Sequence, residues 1–322
     1  MSKQNTLSAF ESLPLPTTAS SGKPLSSSLA KASANFNARL IAFNLMEQLN
    51  HLCRGVQRHR GFSMGLLAGN QSFVKQFYAL ELQMNRRIQL ITSFSGHSPV
   101  LLSHTDIERL HYAWNTIKDN WQGDSVLENF EFHGHFVDQL LLLMVRLAER
   151  IRQPYAKQIR QLISSSQQSE LDEKSLYQQL LYFSSRQLPR FIEMLGKLRA
   201  LSVHVAAIGH SERDYDSKLI YLIQCIADER EPLLDITSRL QSSLNIELPS
   251  LLTIKTFEHK LDFLLNKITN NLVEQVAILI PEEEIFAMAS DIIDVYWRVV
   301  DDSLSLLNRW QKEDLEEWLA EG

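Results

Sequence analysis

From Asn35 onward, apolar residues recur three and four apart through long segments that lack proline and glycine. That is the rhythm of amphipathic helices, and no stretch shows the strict alternation of a strand. The pattern predicts a first helix from about Ala34 to Ala68, stopped by Gly69-Asn70, and a second near Ser72 to Phe94, before Gly96 to Pro99 break the chain. Ser103 is the expected N-cap of a third helix, which Gly123-Asp124 close ahead of a fourth from about Ser125 to Leu162, kinked or split at Pro154. Beyond the polar stretch Ser164 to Ser169, four more helices are predicted near Leu171 to Ile208, Tyr215 to Leu244, Ser250 to Leu279 and Glu282 to Ala320. Gly209, Pro249 and Pro281 separate them, and Pro189 and Pro232 imply kinks. The expected fold is therefore all-α, with one four-helix half over residues 34–168 and another over residues 169–322.

Composition supports this reading. The 322 residues include only 11 Gly and 9 Pro, too few turn formers for a sandwich, barrel or propeller, while 44% are hydrophobic, enough for a sizeable core. Residues 1–33 differ from the rest: they are rich in Ser, carry Pro14, Pro16 and Pro24, and have Phe10 as their only aromatic, so a disordered tail is expected there. The formal charge of −6 provides no net field for nucleic acid or an anionic membrane. Cys53 and Cys225 are too few for a disulfide framework, the longest apolar run is Leu140 to Val145, and no signal peptide opens the chain. A cytoplasmic location is the expectation.

The two halves resemble each other at one place. A shift of 139 aligns Leu52, Val56, Arg60, Phe62, Ser63, Met64, Leu66 and Ala68 with Phe191, Leu195, Arg199, Leu201, Ser202, Val203, Val205 and Ala207. Duplication of a helical hairpin is the simplest account. Arg60 continues the stripe Leu45, Leu49, Leu52, Val56, and Ser63 and Leu67 follow it. Arg199 likewise follows Leu188, Ile192 and Leu195, with Ser202 and Ala206 beyond. Each arginine thus interrupts an apolar face. A guanidinium buried without a partner is costly, so each needs a neighbouring Glu or Asp, or a small anion clamped between the halves with Ser63 and Ser202 as hydroxyl donors. The paired placement favours the anion, and the guanidinium fork matches a flat trigonal oxyanion or carboxylate.

At these residues the chain resembles the nitrate- and nitrite-sensing domain family, from about Ala34 onward. Gln57-Arg58-His59-Arg60-Gly61-Phe62-Ser63 is similar to the family's Gln-x-Glu-Arg-Gly-hydrophobic-Ser signature, with His59 in place of the acid. Leu195-Gly196-Lys197-Leu198-Arg199-Ala200-Leu201 is similar to its second-half Leu-Gly-x-Leu-Arg-Gly-Leu. The resemblance implies a bacterial regulator made of two antiparallel four-helix bundles packed together, with nitrate or nitrite held by Arg60 and Arg199. A further family arginine has three candidates here, Arg213, Arg230 and Arg239. Family members usually carry an attached output module, whereas this chain ends about where the sensor fold should end, which implies a separate protein partner. The alternative is a helical adaptor or scaffold that kept the fold without a ligand.

Other chemistry is weaker. Glu108 and His111, Glu131 and His135, and Glu47 and His51 have helical metal-ligand spacings but are expected to be surface residues, and His133 and His135 fall on different helix faces. No nucleophile elbow, Walker loop or dinucleotide turn occurs, so neither an enzyme nor a cofactor is expected. The basic runs Arg54, Arg58, His59, Arg60 and Arg146, Arg150, Arg152 read as a solvated face in preference to an RNA surface. Trp114, Trp121, Trp297 and Trp310 are expected to fill the core or the seam of a homodimer.

Overall fold

The computed structural model describes residues 23–97, 100–155, 176–275 and 277–321, and every regular element among them is helical. Helix α1 is Lys23–Leu67, α2 Val74–His97, α3 His104–Lys118 and α4 Val126–Arg150. A short α5, Leu176–Tyr182, leads through a π turn at Phe183–Gln187 into α6, Leu188–Ile208. Helices α7 (Arg213–Leu244), α8 (Leu251–Asn271) and α9 (Glu282–Glu321) complete the chain.

Several boundaries follow from local chemistry. Gly69 and Gly209 take left-handed φ values of 96° and 75° to end α1 and α6, conformations that only glycine adopts at no steric cost. Ser103 caps α3 in a reciprocal box with Asp106, and Ser125 and Glu128 do the same for α4. Where Pro189 would drive its ring into the carbonyl four residues back, the preceding turn widens to the π spacing, so the helix passes through it.

Two boundaries correct the sequence reading, and a third falls at the expected break. Residues 23–33 belong to α1, with Pro24 in the first turn where a missing N–H is harmless; the remainder of the expected disordered tail lies outside the described residues. Helix α4 stops at Arg150, ahead of Pro154, where the sequence reading placed a kink or split; the part of the expected fourth helix beyond Tyr155 lies outside the described residues. Helix α8 ends at Asn271 instead of Leu279, and Glu274 takes a left-handed φ of 57° after it. The expected linker Ser164–Ser169 lies outside the described residues.

Helix α1 packs on α2 and α4, and α3 packs on the same two; α6 packs on α7 and α9, and α8 packs on the same two. The two sets meet where α1 touches α6 and α9, and where α4 touches α6. Contacts climb α1 and α6 together, from Gln57 beside Gly196, to Gly61 beside Arg199, to Gly65 beside Val203, so these helices run in the same direction. The apolar core is continuous across that meeting, with Trp114, Trp121 and Trp297 inside and Trp310 packed on its edge.

Candidate functional site

Arg60 and Arg199 both lie fully buried where α1 and α6 meet, as do Ser63 and Ser202. Glycines make the room. A Cβ at Gly196 would stand 3.0 Å from an Arg60 guanidinium nitrogen and 3.4 Å from the Gln57 side chain. One at Gly61 would press on Phe286 at 2.9 Å and meet Arg199 Nε at 3.7 Å. The aromatic rings of Phe130 on α4 and Phe286 on α9 face the two guanidiniums, with centroids 5.6 and 4.9 Å from Arg60 and Arg199 respectively.

The two arginines differ in their partners. Arg60 donates through one terminal nitrogen to Glu193 Oε1 at 2.6 Å and through the other to Oε2 at 3.1 Å, a two-pronged pair inside the core. The Gln57 amide donates to the same Oε2 at 2.9 Å, and Lys197 Nζ lies 3.8 Å from Oε1 and 3.7 Å from Asp138 on α4. The expectation that both guanidiniums stand without a protein counter-charge is thus corrected at Arg60. Arg199 has no such partner: it donates to the Gln57 carbonyl and to Ser290 Oγ, both at 2.8 Å, and among the described residues it forms no ion pair. Burial, reinforced by the charges of Arg60 and Arg58, lowers its pKa to about 9.

The repeat locates the origin of this difference. The shift that carries Arg60 onto Arg199 carries Arg54 onto Glu193, so the place that supplies a carboxylate to one arginine holds a cation at the other. Arg54 turns away, donating to the Trp297 carbonyl at 2.9 Å and to Asp301 at 2.5 Å. Gly134 on α4 faces Arg60 from the place where α9 offers Ser290 to Arg199.

The serines also part company. Ser63 Oγ lies 2.7 Å from Asn129 Oδ1 and 3.0 Å from the Arg60 carbonyl, and its single proton is committed between them. Among the described residues Ser202 Oγ has no hydrogen-bond partner, and neither has Nε of Arg60 or of Arg199; all three are buried. These are unspent donors in a protein interior, where nearly every polar group is satisfied.

Beside Arg60, His59 is fully buried rather than part of a solvated basic face, a second correction. His133 Nδ1 lies 2.7 Å from the Asn129 carbonyl, which accepts only, so Nδ1 carries the proton and Nε2 accepts from His59 Nδ1 at 2.8 Å. Burial and, behind it, the neighbouring His133 hold His59 well below the ordinary histidine value. Burial also takes His133 down to about 3. The rest of that run is engaged, Arg54 with Asp301 and Arg58 with Asp294 on α9 at 2.6 Å; in the second basic run Arg146 reaches Asp106 at the same distance.

Glu193, Asn129 and Ser290 went unnoticed in the sequence, while Gln57 entered only within the motif and His133 only as a poor metal ligand. Glu193 had a signal, as the sole acid between Leu188 and Ile208; Ser290 had none. Of the three candidates for a further arginine, Arg230 is held by Glu258 and Asp262, Arg239 lies 3.1 Å from Asp235, and Arg213 opens α7 at an exposed position. Among the described residues no three metal-ligating side chains cluster, and no helix is long and apolar enough to cross a membrane. Comparison of the chain with family models, with curated proteins and with solved structures found no match.

Proposed function

We propose that the chain senses a small planar monoanion, nitrate or nitrite, and passes occupancy to a separate protein partner through a change in the relative placement of two four-helix bundles, α1–α4 and α6–α9. The observation that carries this reading is the charge count where α1 and α6 meet: among the described residues Arg60 and Arg199 are both fully buried, the buried carboxylate of Glu193 is held by Arg60, and Arg199 is left without one. A single negative charge restores neutrality, which favours a monoanion over sulfate. The unpartnered Nε atoms of Arg60 and Arg199 and the Ser202 hydroxyl are the donors available to its oxygens.

Because α1, α4, α6 and α9 all border the buried charges, a bound anion favours one packing of these helices over another. Occupancy becomes a population shift between packings, and an exposed surface reports it. The reading contains no catalytic step, no cofactor and no metal.

A second reading, a helical adaptor or scaffold without a ligand, draws on the Arg60–Glu193 pair, since that arginine already has its counter-charge. A melting screen separates the two. Nitrate or nitrite at millimolar concentration raises Tm by mass action in a sensor, with chloride and sulfate at matched ionic strength as controls. A flat response to all of them establishes the adaptor.

A further inference from the structure

The Arg60–Glu193 pair stands in the way of the ligand assigned above. A carboxylate is itself a flat, bidentate oxyanion, and Glu193 presents its two oxygens to Arg60 in the arrangement that a nitrate ion would use. Four residues along α6, and so on the same face of the helix, Lys197 offers Glu193 another cation at 3.8 Å, itself shared with Asp138 of α4 at 3.7 Å. Glu193 therefore has two cations within reach: one fully buried, the other on a side chain 24% exposed at the helix edge.

We propose that Glu193 is a resident counter-anion that nitrate or nitrite displaces from Arg60, the carboxylate passing to Lys197 and drawing it from Asp138. This inference rests on the sensing function proposed above and adds its coupling step. Without ligand, Glu193 holds Arg60 and Lys197 is free to tie α6 to Asp138 on α4. With ligand, the anion neutralises Arg199 and takes over Arg60, Glu193 moves onto Lys197, and the α4–α6 tie loosens. The internal carboxylate lowers the apparent affinity by the fraction of molecules in which it covers Arg60, which sets the anion concentration that the protein answers.

Titration calorimetry of sodium nitrate into the full chain tests this with wild type, Glu193→Gln and Glu193→Asp, circular dichroism verifying that each is folded. Both variants are expected to bind nitrate at least about tenfold more tightly than wild type. Glu193→Asp matters most, because it keeps the charge and only retracts the carboxylate by one methylene; it decides the question if Glu193→Gln fails to fold. A purely structural Glu193 gives weaker or unchanged binding in Glu193→Asp, and that result overturns the displacement while leaving nitrate binding itself in place. Absence of nitrate binding in wild type and in both variants overturns the displacement and the sensing function together.

Discussion

At the scale of single residues, Arg60 and Arg199 look alike in sequence and have opposite electrostatic circumstances. Removing Arg60 takes from Glu193 its buried counter-charge and leaves it the Gln57 amide and the more distant Lys197, whereas removing Arg199 discards a charge that has no ionic partner among the described residues. Arg60→Met is therefore expected to cost about 3 kcal/mol in urea unfolding, and Arg199→Met distinctly less, since the hydrogen bonds lost there end on neutral acceptors. Equal losses at the two positions count against the pairing described. The histidine pair gives a pH signature. Both rings are neutral in the folded protein and regain a proton on unfolding once the pH drops below their ordinary value of 6.5. Their contribution to stability is complete above that value and declines below it, for His133 down to about pH 3, by at most about 1.4 kcal/mol per pH unit for each ring. Tm measured from pH 7 to pH 5 is expected to fall more steeply in wild type than in His133→Asn; parallel curves contradict the buried neutral pair.

At the scale of the helix, glycine positions decide how closely α1 and α6 approach. Gly196→Ala gains up to about 1 kcal/mol of helix propensity but places a methyl 3.0 Å from an Arg60 nitrogen that Glu193 holds in position. A net loss of stability is expected, with a lower Tm than wild type; a higher Tm means that Arg60 moves freely. Capping is simpler: Ser103→Ala removes the hydroxyl half of a reciprocal box, leaving the Ser103 N–H on Asp106, and is expected to cost about 1 kcal/mol. Gly69, Ser103 and Gly209 were legible in the sequence because each acts locally, the glycines through their own backbone and Ser103 on the backbone three residues ahead. Asn271 was not, because the turn after it is made by Leu272 and Val273 packing inward, with no proline or glycine to mark it.

At the scale of the whole molecule, the stripes through Arg60 and Arg199 were visible as helical periodicity, and the shift that relates them also describes how α1 and α6 meet, residue against residue. What periodicity could not show was charge pairing between distant segments. Glu193 on α6 neutralises Arg60 on α1, while its counterpart in the repeat is Arg54, which turns away to Asp301. Two similar helical stretches thereby meet asymmetrically, Arg60 ion-paired and Arg199 without an ionic partner among the described residues. The proposed anion site depends on that lone cation. Nitrate titrated calorimetrically into wild type and Arg199→Met measures it most directly: one anion per chain in wild type and none in the variant, with helical content preserved, is the expected result. Equal binding in the two proteins, or no binding in wild type, contradicts it.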